Sequence, residues 1–126
     1  MSPYAFQPRH VEKPWGYELI WAHADDYVGK VLFIRAGCAL SLQYHHFKDE
    51  TWYFQAGRAA VELAAPEDAA AEELVVEPGA AFHLRPGTVH RLTALEDTTV
   101  LEVSTPFLDD IVRLDDLYGR ADAVGA

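Results

Sequence analysis

Residues 40–57 read Leu-Ser-Leu-Gln-Tyr-His-His-Phe-Lys-Asp-Glu-Thr-Trp-Tyr-Phe-Gln-Ala-Gly and decide the fold of this chain. Side chains alternate across a β-strand, so Gln43 and His45 are expected on the same face of one strand. Glu50 has the parity of Trp52 in the following strand, where an unpaired carboxylate is costly to bury. A bound cation would remove that cost. The stretch therefore predicts two neighbouring strands that carry metal ligands.

Another histidine, His90, is a candidate to join these ligands. His90 ends the sequence Pro86-Gly87-Thr88-Val89-His90 and shares parity with Leu92, which is the pattern of an inward-facing side chain. Three antiparallel strands would bring it into register with the first stretch. One amide, one carboxylate and two imidazoles form a mixed ligand set that suits zinc, manganese, iron, cobalt or nickel. We therefore expect one divalent ion, which keeps net positive charge because glutamine adds none.

Most of the chain has the periodicity of strands. Nine segments are short, rich in β-branched or aromatic residues, and bounded by glycine, proline or acidic turn residues. Nine such segments within 126 residues predict one all-β domain, residues 1–126, built as a sandwich or barrel. The predicted strands are residues 17–24, 28–36, 40–45, 51–55, 58–64, 72–77, 80–84, 90–95 and 98–104.

Two segments differ from this pattern. Residues 1–16 contain three prolines and predict an extended N-terminal arm that packs its aromatic side chains against the body of the domain. Residues 106–118 predict a short C-terminal helix. Thr105 followed by Pro106 is typical of a helix start, and Gly119 is typical of a helix end.

Charge and composition limit the partners. The chain has 20 acidic and 10 basic residues, a net charge of -10, so its surface would repel nucleic acid and anionic membranes. The single cysteine, Cys38, excludes an internal disulfide framework, and no apolar run approaches the roughly 20 residues needed to cross a bilayer. The first residues lack the features of a secretory signal. We expect a cytoplasmic protein that binds a small molecule. That molecule could be an anion, because a few arginines in a pocket would outweigh the negative charge of the whole surface.

The glycines and proposed ligands resemble the two motifs of the cupin superfamily. The first motif is matched by Gly37, Gln43, His45, Glu50 and Gly57, with glutamine in the place of the usual first histidine. The second is matched by Gly79, Gly87 and His90, with Arg85 where a proline is usual. Four blocks in order more narrowly resemble the cupin domain of type II mannose-6-phosphate isomerases: residues 13–16, 40–45, 86–91 and 109–113, closing in Tyr118-Gly119-Arg120.

This resemblance implies a jelly roll, also described as a double-stranded β-helix. It implies a metal ion, with zinc first, held by Gln43, His45, Glu50 and His90. It also implies aldose-ketose isomerisation of a sugar phosphate through an enediolate. The family often joins this domain to a nucleotidyltransferase, but no glycine-rich nucleotide-binding stretch precedes Lys13 here, so we expect the stand-alone cupin form. Small cupins commonly pair, and we expect a homodimer.

Catalytic roles follow from residue chemistry. His83 is the candidate general base, because imidazole titrates near neutral pH. Arg91 and Arg85 are the candidate partners of a phosphate group, with other cations behind them. Two alternatives remain open because one fold serves many functions. The protein would be a non-catalytic cupin that binds a sugar or nucleotide sugar, or a different metal-dependent cupin enzyme such as an iron oxygenase.

Overall fold

The computed structural model describes residues 2–67 and 70–120. This part of the chain contains eleven strands and no helix, and therefore no helix able to span a membrane. The strands are β1 (Arg9–Lys13), β2 (Gly16–His23), β3 (Val28–Ile34), β4 (Leu42–Tyr44), β5 (Glu50–Ala56), β6 (Ala59–Ala64), β7 (Glu72–Val76), β8 (Ala81–Leu84), β9 (Val89–Ala94), β10 (Thr98–Ser104) and β11 (Val112–Asp115).

The strands form two antiparallel sheets. One sheet has the order β1-β2-β3-β10-β5-β8 and the other β11-β4-β9-β6-β7. Their inward side chains form a core that includes Leu32, Ile34, Trp52, Phe54 and Leu92. Each of the nine predicted strands overlaps one of β2 to β10, so the all-β prediction is confirmed.

The predicted helix over residues 106–118 is wrong. The segment is a loop followed by β11, which pairs with the edge of β4 and places Val112 opposite Tyr44. Within this loop the carboxylate of Asp110 accepts hydrogen bonds from the backbone of residues 46–48. A short helix is marginal by itself, and here the tertiary and strand contacts satisfy the backbone better.

The N-terminal arm is partly a strand. β1 pairs with β2 along its whole length, so residues 9–13 extend the larger sheet. Trp15 is 4% exposed, as expected, but Tyr4 and Phe6 are 93% and 43% exposed. The expectation that both side chains pack against the body is therefore wrong in this structure.

Candidate metal centre

The centre lies between the two sheets. Gln43 on β4 stands opposite His90 on β9, and His45 follows directly after β4. Glu50 is the first residue of β5 and comes from the other sheet. One ligand atom each from His45, Glu50 and His90 lies within 4.8 Å of the others, and all three residues are buried. The structure thus brings together the residues that the sequence selects as metal ligands.

Each histidine is oriented by a hydrogen bond on the far side of its ring. Nδ1 of His90 lies 2.9 Å from the carbonyl oxygen of Thr88, and Nδ1 of His45 contacts the carbonyl oxygen of Asp110. A carbonyl oxygen accepts and cannot donate, so Nδ1 of each ring carries a proton. Nε2 is therefore the ring atom left to face the centre, as in metal-binding histidines.

Two buried atoms at the centre have no hydrogen-bond partner. Nε2 of His45 and Oε2 of Glu50 lie 3.0 Å apart, but neither makes a hydrogen bond. A divalent cation would satisfy both at once, and imidazole and carboxylate are suitable ligands. The residues present therefore fit a metal ion.

Gln43 presents its amide nitrogen to the centre. Its Nε2 lies 3.3 Å from Nε2 of His90, while its Oε1 accepts a hydrogen bond of 2.8 Å from the hydroxyl of Ser41. A half-turn of the amide exchanges oxygen and nitrogen, and a hydroxyl can accept from the NH₂ group as well as donate to the oxygen. One side-chain rotation would therefore turn the amide oxygen of Gln43 toward the centre.

A line of buried charges leads away from the centre. Nζ of Lys48 lies 3.4 Å from Oε2 of Glu50 and 3.1 Å from Oε2 of Glu102. Nζ of Lys30 lies 4.0 Å from the same oxygen of Glu102 and 3.4 Å from Oε1 of Glu18. The side chains of Lys30, Lys48, Glu50 and Glu102 are each at most 7% exposed, and Glu18 is 17% exposed. Positive and negative groups alternate, so each buried charge has an opposite neighbour.

These neighbours set the protonation states. Burial raises the pKa of Glu50, but His45 and the Lys48 cation outweigh it and hold this pKa well below its usual range. Burial lowers the pKa of Lys48, but the carboxylates of Glu102 and Glu50 raise it by a larger amount, so the resulting pKa lies above the usual range. Burial lowers the pKa of His90 to about 4 despite the opposing effect of Glu50. At neutral pH Glu50 is a carboxylate, Lys48 an ammonium and His90 a neutral ring.

A cavity opens onto the centre and onto the line of charges. Gln43, His45 and Glu50 form part of its lining, with Trp52 beside them. Its charged lining residues are Lys13, Lys30, Lys48, Arg113 and Arg120 together with Glu18, Glu50 and Glu102. The cations outnumber the carboxylates, although the whole chain carries a net charge of -10. The cavity is therefore suited to an anionic ligand.

Two contacts hold the loop that carries these ligands. The backbone N–H of Gly87 donates to the carbonyl oxygen of His45 at 2.8 Å. Gly87 has φ +84°, and a Cβ there would lie 2.8 Å from Cγ of Pro66, so only glycine fits without strain. On the other side, Asp110 accepts the N–H groups of residues 46–48 at 2.6–3.0 Å. Both contacts fix the direction of His45.

The three predicted catalytic residues lie elsewhere. The side chain of His83 is 56% exposed on the outer face of β8, and its Nε2 lies 2.7 Å from Oδ1 of Asp49. Arg91 forms ion pairs with carboxylates of β6 and β11, and Arg85 is exposed in the turn after β8. None of the three lines the cavity described here. Their catalytic roles remain predictions, and their positions do not bring them to the centre.

Lys48, Glu102 and Glu18 were not among the residues predicted for the site. The sequence does contain a signal for two of the buried charges, Lys30 and Glu102. Lys30 has the parity of Leu32 on β3, and Glu102 has the parity of Val100 on β10, so both occupy inward positions of apolar strands. A charged residue at such a position is costly unless it is paired. The pattern therefore indicated a buried ion pair or a polar cavity.

Comparison with known proteins agrees with this architecture. Residues 4–116 match the family described as mannose-6-phosphate isomerase C-terminal. The chain is 33% identical over 118 residues to the xanthan biosynthesis protein XanB of Xanthomonas campestris, covering 89% of this chain and 24% of XanB. It is 35% identical over 117 residues to a mannose-1-phosphate guanylyltransferase of Escherichia coli, covering 89% and 23%. The chain thus spans about a quarter of the length of these relatives.

Among solved structures, KdgF from Halomonas sp. is similar, with a TM-score of 0.67 and 27% identity over 82% of this chain and 91% of KdgF. The family match covers nearly the whole described domain. The two antiparallel sheets are those of a jelly roll, and His45, Glu50 and His90 form a buried group that could hold a metal ion. The chain therefore belongs to the mannose-6-phosphate isomerase C-terminal family and has the cupin fold.

Proposed function

We propose that the protein is a metal-dependent aldose-ketose isomerase of sugar phosphates, similar to mannose-6-phosphate isomerase. The observation that carries this proposal is the convergence of His45, Glu50 and His90, with two buried atoms that make no hydrogen bond, at a cavity whose charged lining residues are mostly cations. Membership of the family supports the substrate class. We take zinc as the first metal to test, because the ligand set suits it.

The half-buried cations would bind the phosphate group. Lys13, Arg113 and Arg120 line the cavity and are more exposed than Lys30 and Lys48. Guanidinium groups bind phosphate oxygens in pairs of hydrogen bonds, so the arginines are the stronger candidates. With the phosphate held there, the carbonyl end of the sugar would face the centre. We therefore assign phosphate binding to these three residues rather than to Arg85 and Arg91, the candidates predicted from the sequence.

The isomerisation moves a hydrogen from C2 to C1 and a hydroxyl proton from O2 to O1, so no other reactant is needed. A bound divalent cation would polarise the carbonyl oxygen and stabilise the negative charge that develops on it. A base in the cavity must accept the C2 proton and return it to C1. We assign this role to Glu18, because it lines the cavity and contacts only one lysine, whereas Glu102 lies between two. His83 lies outside the cavity.

The test has two steps. Metal content is measured on the purified protein, and zinc binding is then titrated after chelation. The protein is next incubated in heavy water with mannose 6-phosphate or fructose 6-phosphate, and the loss of the C2 or C1 proton signal is followed by NMR. We expect bound metal and proton exchange, both abolished in His90→Ala and Glu50→Ala. His83→Ala is the matched control and should retain metal.

The other functions give different results. Metal binding without proton exchange for any sugar phosphate would support a binding protein, and oxygen consumption with ferrous iron would support an oxygenase. Retention of full metal affinity in both His90→Ala and Glu50→Ala would reject the assigned centre itself.

A further inference from the structure

Glu102 is a buried carboxylate that contacts no proposed metal ligand. Its side chain is 4% exposed, and its Oε2 lies 3.1 Å from Nζ of Lys48 and 4.0 Å from Nζ of Lys30. On β10 it stands opposite Lys30 of β3 on one side and Trp52 of β5 on the other. The function proposed above assigns no task to this residue, although burying it is costly.

Two carboxylates lie within ion-pair distance of the ammonium group of Lys48. Glu50 lies 3.4 Å from its Nζ, and Glu102 lies at the shorter distance of 3.1 Å. An ammonium group that paired fully with Glu50 would neutralise the one charged ligand of the centre. It would also stand close to any cation bound there, and like charges in a buried site repel strongly. The position of Lys48 therefore affects how well the centre binds metal.

We propose that Glu102 is a positioning residue for the metal centre, which holds the ammonium group of Lys48 away from Glu50 and so leaves that carboxylate free to bind the ion. This inference rests on the metal site of the proposed function but not on its reaction. Lys30 cannot replace Glu102 in this role because it is itself a cation. Glu18 cannot replace it because Glu18 pairs with Lys30 at the far end of the line of charges.

The experiment measures zinc affinity by calorimetry on the full chain after chelation. Glu102→Gln keeps the shape of the side chain but removes its charge, and we expect it to weaken zinc binding by about 10-fold or more, the range seen for residues that support metal ligands. Lys48→Met should tighten binding. The double variant Glu102→Gln/Lys48→Met should bind zinc within about threefold of the wild type, because removing both charges leaves the balance near Glu50 unchanged. Glu96→Gln, in an exposed turn, is the control.

Unchanged zinc affinity in Glu102→Gln would overturn the proposal, and so would weaker binding in Lys48→Met. Thermal unfolding of every variant shows whether it is folded. If Glu102→Gln does not fold, Lys48→Met still tests the proposal, because a Lys48 cation that must be held away from Glu50 cannot itself support zinc binding, and weaker binding in this variant overturns the proposal. Proton exchange is measured in parallel. If no proton exchange occurs but Glu102→Gln weakens zinc binding as expected, the isomerase is rejected and the positioning role of Glu102 is kept. Normal exchange with unchanged zinc affinity in Glu102→Gln would reject the positioning role and keep the isomerase.

Discussion

Gln43 and His90 stand opposite each other on neighbouring strands, with their side-chain nitrogens 3.3 Å apart and the amide oxygen of Gln43 turned toward Ser41. The amide is therefore beside the centre but in the orientation of a hydrogen-bond donor to His90. Ligation of a metal ion by the amide oxygen would require the half-turn that exchanges the oxygen and nitrogen of the amide.

Gln43→Ala tests the role of the amide. If the oxygen becomes a ligand, zinc affinity should fall by about 10-fold or more, although less than in His90→Ala. Ser41→Ala is the control and should have a smaller effect, because the hydroxyl only supports one amide orientation. Calorimetry with zinc measures both. Wild-type affinity in Gln43→Ala would show that the centre uses three protein ligands.

His90 should make the stability of the metal-free protein fall in mild acid. Its pKa is lowered from 6.5 to about 4 in the folded chain by burial, so the unfolded chain binds more protons between these values. The free energy of unfolding should therefore fall as the pH is lowered from about 6.5 to about 4, by about 3 kcal/mol at about 1.4 kcal/mol per pKa unit. Urea unfolding with a chelator present measures this, and His90→Asn should show a smaller pH slope. Equal slopes would contradict the prediction.

Asp110 should matter for both stability and metal binding. Its carboxylate accepts three backbone hydrogen bonds from residues 46–48, and its carbonyl oxygen orients His45. Asp110→Ala should lower the free energy of unfolding by about 1–3 kcal/mol, since hydrogen bonds to charged groups are the stronger ones. It should also weaken zinc binding. Asp109→Ala, at the exposed neighbouring residue, should change stability by no more than about 0.5 kcal/mol.

The assignment of the base is tested by a pair of variants. Glu18→Gln should lower the rate of C2 proton exchange by about 100-fold or more while zinc affinity changes little, because a positioned base contributes about that much. His83→Ala should exchange at nearly the wild-type rate, since its ring lies on the outer face of β8. NMR in heavy water measures both rates. The opposite result would return the base to His83.

The strands, and the convergence of His45, Glu50 and His90, could be predicted from the sequence because both depend on local alternation. Gln43 and His45 share a face by parity, and the motif glycines mark the turns between strands. The short helix was predicted from Thr105-Pro106 for a local reason as well, but residues far away in sequence decided against it. The free edge of β4 and the backbone of residues 46–48 are long-range partners that no local pattern reveals.

Catalytic roles were harder to predict for a similar reason. His83 and Arg91 were selected by chemistry, and both are adjacent in sequence to inward-facing residues, Leu84 and His90. One step along a strand reverses the face, so their neighbours point inward while they point out. Lys48 lies in a loop, where alternation gives no direction, and its place beside Glu50 depends on how that loop is held.

The bond between Asp110 and His46 joins positions 64 residues apart. During synthesis His45 and His46 are therefore made long before Asp110, which supports both of them, leaves the ribosome. Proteins are built from the N-terminus, so a nascent chain ending before residue 110 would have the ligands but not their arrangement. Any metal ion that this centre binds would therefore be acquired by an almost complete polypeptide, after translation of the domain rather than during it.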